Sequence, residues 1–351
     1  MQSSPEPDPP SSGLSMRQLA ALAGFSRTTV SQALRNHPGI SEATRKTIVE
    51  LAEKHGYRPD PLVSTLMNQL RVGRPRRQAE KLAYLTWWET ADGWRRSRND
   101  LLWFEGACER GRALGYEVEH FWAKQPGLTA ARLSKILYTR GIRGLIIAPP
   151  IRLHGHLSLH WQYFTAATIS FSAVKPGLNR TSHFHYSGML LALRQLKSLG
   201  YRRIGFTVLE DHVERVNHGW LNAYMIFQDQ HAPEFRVPPL LHKTWDRDAI
   251  GSWMKAHQIE AVISNMPEPL YFLRELGYRV PEDVGFASLD RLHLDDPWAG
   301  IDQSPKMVAA SAVDLVTSQL QRNEFGLPSH PQTVMLDGLW HDGPTVQRRR
   351  R

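Results

Sequence analysis

Cysteine is nearly absent from the chain, because Cys108 is the only one among 351 residues. A single thiol cannot close a disulfide within the chain or supply a thiolate metal cluster. Long apolar runs are absent too, since no stretch approaches the roughly eighteen consecutive apolar residues typical of a transmembrane helix. The Ser/Pro-rich start lacks the basic and apolar segments of a signal peptide. We therefore expect no membrane partner and a cytoplasmic location.

Signatures of catalysis are also missing. The sequence contains no phosphate-binding glycine loop, no nucleophile elbow and no paired His/Cys motif. His154, His156 and His160 lie close together, but their spacing matches neither a helical pair of zinc ligands nor a zinc finger. We predict that the protein is not an enzyme and that it holds no cofactor and no metal.

Acidic residues are scarce in one part of the chain only. Residues 14–77 contain eleven Lys or Arg and four acidic residues, which gives +7 of the total net charge of +9. Residues 78–347 are neutral, and the last four residues are arginines. A basic head and a neutral body are typical of a protein whose head alone contacts phosphate. We interpret the arginines of the tail, residues 346–351, as a solvated terminus.

The basic head, residues 14–59, has the pattern of three short helices. Ser15 and Gln18 form a capping box that begins a first helix, and Gly24 supplies the turn that ends it. Ser41 is a candidate N-cap for a third helix. A helix, a glycine turn and a polar helix in this order are typical of a helix-turn-helix DNA-binding domain.

The second helix of the head, from a cap at Ser26 to about residue 35, has one apolar and one polar side. Val30 and Ala33 fall on the apolar side and are predicted to be buried. The opposite arc carries side chains suited to bases and phosphates, namely Arg27, Thr28, Ser31, Gln32 and Arg35. We predict that this arc enters the major groove of double-stranded DNA.

The stretch "LSMRQLAALAGFSRTTVSQALRNHPGISEATRKTIVELAEKHGYRP", residues 14–59, resembles the DNA-binding head of the lactose-repressor (LacI/GalR) family over its whole length. The segments "LAALAGFSRTTVSQALRN", "ISEATR" and "GYRP" stand where the family has its turn, recognition helix, third helix and exit. The resemblance implies two groups of contacts. Bases would be contacted by Arg27, Thr28 and Gln32, and phosphates by Ser26, Thr29 and Ser31.

Residues 60–72 have apolar residues at helical spacing, but the segment is too short to be stable alone. In the family that the head resembles, this position is a hinge helix that orders on operator DNA and pairs with its dimer mate. Leu66 matches the leucine that the family inserts into the minor groove, where an apolar wedge kinks the duplex. Residues 73–80 are predicted to be an exposed basic linker, and residues 1–13 a disordered N-terminus.

From residue 81 the pattern alternates between strand-like and helix-like runs, which predicts parallel, doubly wound α/β sheets. The length of this part, residues 81–345, suits two lobes, the second over roughly 178–300. It resembles the periplasmic-binding-protein-type effector domain of the same family, on motifs such as "GYRRIGF" and "VPEDVGFASLD". The predicted fold class is therefore an all-α helix-turn-helix head followed by a two-lobed α/β effector domain.

Two lobes that close on a small molecule bury it beside the carboxyl ends of their strands. The resemblance implies that Asp290 contacts the effector and that Asn265 lies at the lobe interface. It also implies that Gln303 opens the crossover back into the first lobe, and that Arg215 lies one residue from the family's effector-binding arginine. These four residues are the predicted polar part of an effector site.

Tryptophans are the candidate apolar part of that site, because an indole face can stack on the C–H face of a sugar ring. Trp87, Trp88 and Trp220 lie at the ends of predicted strands or helices near the expected cleft. One member of the adjacent pair must face away from the other on a strand. Trp103, Trp122 and Trp253 are interpreted as core or subunit-interface residues. We predict that the effector is a carbohydrate.

The head, hinge and body together predict a homodimeric, sequence-specific transcription regulator that binds a palindromic operator and responds to a small molecule. Repression is the sign that the resemblance implies. One alternative is a constitutive regulator whose pocket no longer binds a ligand, and another is a solute-binding module. A sugar-modifying enzyme with a fused head would need a carboxylate pair or a nucleophile in the cleft.

Overall fold

The structure, a computed structural model, describes residues 14, 16–34, 39–55, 57, 80–151, 153, 155–291 and 296–349. The predicted N-terminal segment, the cap at Ser15, Arg35 and the hinge with Leu66 lie outside these residues, as does the linker apart from Glu80. The helices are α1 (Met16–Ala23), α2 (Arg27–Leu34), α3 (Glu42–Lys54), α4 (Arg98–Ala113), α5 (Ala130–Thr139), α6 (His185–Ser198), α7 (Glu210–Arg215), α8 (Gly219–Asp229), α9 (Arg247–His257), α10 (Glu268–Glu275) and α11 (Pro305–Arg322). The strands are β1 (Glu80–Thr86), β2 (Tyr116–Trp122), β3 (Gly144–Ile147), β4 (Gly155–His156), β5 (Thr165–Ile169), β6 (Ala173–Lys175), β7 (Asn179–His183), β8 (Ile204–Leu209), β9 (Leu240–His242), β10 (Ala261–Ser264), β11 (Gly285–Arg291), β12 (Ala299–Asp302), β13 (Thr333–Leu336) and β14 (Leu339–His341).

The head is a three-helix domain whose helices begin where the capping residues predict. Ser26 Oγ accepts a hydrogen bond from the backbone N–H of Thr29 at 3.0 Å, and Ser41 Oγ accepts one from Thr44 at 3.3 Å. These bonds satisfy amide groups that have no partner within the helix. The helices enclose a small core of Leu19, Ala20, Val30, Ala33, Ile48 and Ala52.

The first lobe is built on a parallel six-stranded sheet in the order β13-β7-β5-β3-β1-β2. Helices α4 and α11 pack together on one side of it, where Gly106 allows close approach, since a Cβ there would lie 2.3 Å from the carbonyl oxygen of Lys306. Strands β1, β3 and β5 are almost completely buried, as expected for a parallel sheet covered on both faces.

The second lobe has a six-stranded sheet in the order β14-β12-β11-β10-β8-β9, parallel except for the antiparallel edge strand β14. The chain crosses between the lobes after β7, after β12 and after β13. The predicted second lobe, 178–300, therefore begins too early, because β7 pairs with β5 and β13 in the first sheet. The predicted fold class, a helical head and a two-lobed body with parallel sheets, is confirmed.

The tail was predicted to be solvated, and its described part is so only in part: Gln347 and Arg348 are exposed, but the segment is also bonded to the second lobe. The backbone N–H of Arg349 donates to the carbonyl of Leu199 at 2.8 Å, and its guanidinium donates to the carbonyl of Asp283 at 2.9 Å. Gln347 donates its backbone N–H to the hydroxyl of Tyr201 at 3.1 Å. Residues 347–349 are thus attached to the second lobe. Among the described helices, none has the length and apolarity needed to span a membrane.

Candidate functional site

The polar arc of α2 lies on the surface of the head. Arg27 and Thr28 are exposed at the beginning of the helix, and Ser31 and Gln32 are partly exposed one turn later. Ser26 and Thr29 share a hydrogen bond between their hydroxyls at 2.8 Å. Val30 and Ala33 face the core with 0% and 1% exposure, so the helix has the two sides that its sequence predicts. The arc presents hydroxyl, amide and guanidinium groups, which are the groups that hydrogen-bond to base edges and phosphates.

A cleft of about 370 Å³ lies between the two lobes of the body. Its walls come from the ends of parallel strands in both sheets, which is where open α/β sheets place their ligands. The volume is within the usual range for a small-molecule site. Six of the seven residues predicted for the effector site line it, namely Trp88, Arg215, Trp220, Asn265, Asp290 and Gln303.

Asp100 is the first-lobe carboxylate of the cleft. It follows the N-cap Ser97 at the beginning of α4, and Ser97 Oγ accepts a hydrogen bond from its backbone N–H at 3.3 Å. The side chain is only 5% exposed, and Oδ1 has no hydrogen-bond partner among the described residues. Burial raises the pKa of this carboxyl from 3.8 to about 6, although a hydrogen bond from Ser97 and the charge of Arg215 both lower it. A buried acceptor without a partner is a candidate ligand contact.

Asp290 is the second-lobe carboxylate and lies near the end of β11. Asn99 Nδ2 donates to Asp290 Oδ2 at 3.0 Å across the cleft, whereas Oδ1 has no partner among the described residues. Burial is the main cause that raises the pKa of Asp290 to about 7; the hydrogen bond from Asn99 lowers it, and the carboxylates of Asp296 and Asp302 raise it. The two lobes thus contribute one acidic side chain each.

Arg215, at the end of α7, reaches from the second lobe into the first. Its Nη1 donates to the carbonyl of Pro150 at 3.2 Å and to the hydroxyl of Ser172 at 3.4 Å. Its Nη2 donates to the carbonyl of Ile151. Burial lowers the pKa of this guanidinium, and the charges of Asp211 and Asp100 act in the opposite direction. Arg215 therefore joins the lobes through main-chain oxygens.

Two histidines of the cleft have lowered pKa values. The ring nitrogen Nδ1 of His212 lies 2.9 Å from Asn265 Nδ2 and 3.4 Å from Asn265 Oδ1, so the amide can bond to the imidazole in either tautomer. Burial lowers the pKa of His212, and it lowers the pKa of the 8% exposed His185 well below the ordinary value. Gln303 Nε2 donates to the carbonyl of Leu289 at 2.7 Å, which fixes the amide where the chain returns to the first lobe.

The structure assigns the tryptophans to the cleft and to the core differently from the sequence-based interpretation. Trp88 and Trp220 line the cleft, but Trp87 points into the core of the first lobe, is 5% exposed and donates to the carbonyl of Ala148 at 2.7 Å. Trp103, interpreted as a core or interface residue, also lines the cleft. Trp253 is a core residue of the second lobe, as expected.

Sequence reasoning missed several lining residues, above all Asn99, Asp100, Ser172, His185 and His212. For Asp100 a usable signal existed. The sequence "SRND" places a capping serine three residues before an acid, at the first helix after β1, and a helix that follows a parallel strand begins at the ligand-binding edge of the sheet. The other residues have no comparable local signal.

A three-helix head with an exposed polar second helix, followed by a two-lobed α/β body with a central cleft, defines the helix-turn-helix regulators with a periplasmic-binding-protein-like domain. The family model for bacterial regulatory proteins of the lacI family matches residues 15–60. The head is 45% identical over 56 residues to the probable HTH-type transcriptional repressor ExuR of Bacillus subtilis (strain 168), which is 16% of this chain and 17% of that protein. It is 43% identical over 47 residues to the HTH-type transcriptional regulator AglR of Rhizobium meliloti (strain 1021), 13% of each chain. The aligned region thus spans less than a fifth of these curated relatives.

Solved structures extend the likeness of fold to the body. The lac repressor dimer bound to operator and the anti-inducer ONPF has a TM-score of 0.53 at 16% identity, over 95% of this chain and 99% of that chain. A CelR–cellobiose complex has a TM-score of 0.53 at 18% identity, with the same coverage. A lacI-family regulator from Rhizobium etli has a TM-score of 0.61 at 13% identity, over 77% of this chain and 100% of that chain. Residues 15–60 thus match the lacI family of bacterial regulatory proteins, and the chain is similar in fold to solved members of that family.

Proposed function

We propose that this protein is a transcription repressor that binds a palindromic operator as a homodimer and releases or tightens its hold when a sugar enters the cleft. The observation that carries the proposal is the exposed polar arc of α2 on a basic head, joined to a body with a ligand-sized cleft. The proposal places the protein in the cytoplasm with its DNA and assigns it no reaction. The cleft holds carboxylates, but the relatives of the head are regulators rather than enzymes.

The operator is tested by selection from randomised duplex DNA with the purified full chain at near-physiological salt. A dimer with two heads predicts an enriched palindrome, because each head binds one half-site. One chain has a mass of 40.0 kDa, and light scattering of the same preparation should give twice that mass. An enriched site without two-fold symmetry, or a monomeric protein on DNA, contradicts the dimer.

Arg27→Ala tests the assignment of the reading face. If Arg27 forms a bidentate contact to a guanine, the variant should bind its operator more weakly by about 1–3 kcal/mol and tolerate substitution at one base position. Lys46→Ala is the matched control, since Lys46 is a cation of the same domain on α3. An equal loss of binding to operator and to random DNA would assign Arg27 to the phosphate backbone instead.

Repression and response to a sugar are tested on the selected operator. A promoter that overlaps this site should be transcribed less in vitro when the protein is added, and an active sugar should change the operator affinity. A bound ligand can shift the protein only by its difference in affinity for the two states. Transcription that rises with the protein identifies an activator.

A second candidate is a constitutive regulator, and one feature of the cleft favours it. Arg215 already bonds to the first lobe, and Asn99 already bonds to Asp290, so polar groups of the two walls bind each other. An operator that is bound equally with and without every sugar of a broad panel would support this candidate.

A further inference from the structure

The charges on the described walls of the cleft do not balance. Its described lining contains two carboxylates, Asp100 and Asp290, and one permanent cation, Arg215. The lining histidines are His185 and His212, and burial lowers the pKa of each, which disfavours their charged forms. With both carboxylates ionised and both histidines neutral, the described lining carries one negative charge more than it carries positive.

The cation among the described lining residues already has hydrogen-bond partners. Arg215 donates to the carbonyls of Pro150 and Ile151 and to the hydroxyl of Ser172. Its charge also acts on Asp100. A ligand carboxylate or phosphate would therefore have to displace these bonds, and it would bring a third negative charge into a buried space.

Asp290 lacks the compensation that Asp100 has. The groups that act on it are the neutral amide of Asn99 and the carboxylates of Asp296 and Asp302, and no described cation is among them. Its Oδ1 accepts no hydrogen bond from the described residues. An ionised carboxylate in such a place is costly unless a positive group pairs with it. A positively charged group of a ligand would supply that partner and hold the carboxylate ionised.

The apolar walls fit the same ligand. Trp88, Trp103 and Trp220 line the cleft together with Pro150 and Val216. Indole faces pack on the C–H faces of a sugar ring, and they also attract a cation within about 6 Å of the ring centre. A hydroxylated sugar ring that has an apolar C–H face and one positive substituent uses both properties.

We infer that the ligand of this cleft is an amino sugar, whose ammonium group pairs with Asp290 and whose hydroxyls donate to Asp100. The inference rests on the proposed function, since it names the class of effector for the same cleft. It separates the two carboxylates by role. Asp290 selects for the positive charge, and Asp100 binds any sugar that presents a hydroxyl.

Calorimetry with matched sugars at pH 7 tests the inference on the full chain. D-glucosamine, D-glucose and D-glucuronate form one set, and the three galacto sugars form a second. In at least one set the amino sugar should bind tenfold or more tightly than its parent sugar, and the uronate should not bind. A parent sugar that binds as tightly, a uronate that binds best, or no binding of either amino sugar overturns the inference.

Two variants then separate the roles of the carboxylates. Asp290→Asn should reduce the ratio of the two affinities, amino sugar over parent sugar, from tenfold or more to near one. Asp100→Asn should weaken the binding of both sugars and leave the ratio of their affinities unchanged. This second variant also keeps the inference testable if Asp290→Asn does not fold. Asp229→Asn, an exposed aspartate of α8 outside the cleft, is the matched control. A ratio that survives Asp290→Asn contradicts the assigned pairing.

Operator selection without any sugar keeps this inference separate from the proposed function. An enriched palindrome with no preference for amino sugars refutes the inference alone. Amino-sugar binding by a protein that selects no DNA site refutes the proposed function and leaves the ligand class standing.

Discussion

Asp100 should destabilise the protein at neutral pH, and Asp100→Asn should relieve that cost. The pKa of this carboxyl is about 6 in the folded protein, against 3.8 for an ordinary aspartate, and burial is the main cause. At about 1.4 kcal/mol for each tenfold change in proton affinity, the difference corresponds to about 3 kcal/mol at most. Because the folded-state pKa is raised, the protonated carboxyl contributes stability below pH 4, and this contribution is lost as the pH rises through 6.

Urea unfolding of the unliganded full chain, followed by tryptophan fluorescence at several pH values, measures the effect. Asparagine has the shape of the protonated carboxyl, so the variant and the original protein should be similarly stable near pH 4. Near pH 8 the variant should be more stable by up to about 3 kcal/mol. The surface change Asp229→Asn should give no comparable gain. A variant that is less stable at pH 8 would refute the reasoning, because it would mean that the ionised form of Asp100 has partners that offset its burial.

Three further substitutions test the packing. Leu19→Ala, at a position with 0% exposure in the head, should destabilise the head by about 2–5 kcal/mol and abolish operator binding at 37 °C, whereas Leu22→Ala at 54% exposure should change stability by about 0.5 kcal/mol or less. Gly106→Ala should lower the unfolding free energy of the body by about 1–3 kcal/mol, because the added methyl group meets backbone atoms of Lys306 and not a movable side chain. Arg215→Ala removes the bonds to Pro150 and Ile151, so small-angle scattering should show a larger radius of gyration; an unchanged radius would mean that other contacts hold the lobes together.

The head could be predicted almost completely because its signals are local. Ser26 and Ser41 cap helices within three residues of themselves, and the observed bonds to Thr29 and Thr44 lie within that distance. One apolar residue of α1 is not buried, since Leu22 lies at helical spacing from the buried Leu19 but is 54% exposed. A short helix buries only a narrow stripe, and helical spacing alone does not fix its edges.

The body was predictable in class and less so in detail. A strand such as β2, with seven residues, is long enough for its pattern to show in the sequence, whereas β12, β13 and β14 have three or four residues each and no clear alternation. The assignment of β7 to the second lobe failed for a related reason. A strand followed by a helix has the same local pattern whether or not the chain changes sheet between them, and only pairing with β5 and β13 decides its lobe.

Trp87 and Trp88 show what the alternation of side chains along a strand cannot predict at the candidate site. Alternation requires that adjacent side chains point to opposite faces, but it does not say which face is the core. That choice depends on helix α5 and the residues after β3, because Trp87 packs in their cluster and bonds to Ala148. Because Trp87 is buried in this core, the adjacent Trp88 points to the opposite face and lines the cleft.

The polar part of the cleft depends on contacts that no local pattern contains. Asn99 and Asp290 are separated by 191 residues, and Arg215 bonds to Pro150 and Ile151 across 65 and 64 residues. A family resemblance can align Asp290 with an effector-site position and place Arg215 one residue from another, but it cannot show that the arginine is occupied by main-chain oxygens while one carboxylate oxygen of Asp290 has no partner among the described residues. The inferred preference for a positively charged ligand depends on that pairing as well as on the residue types.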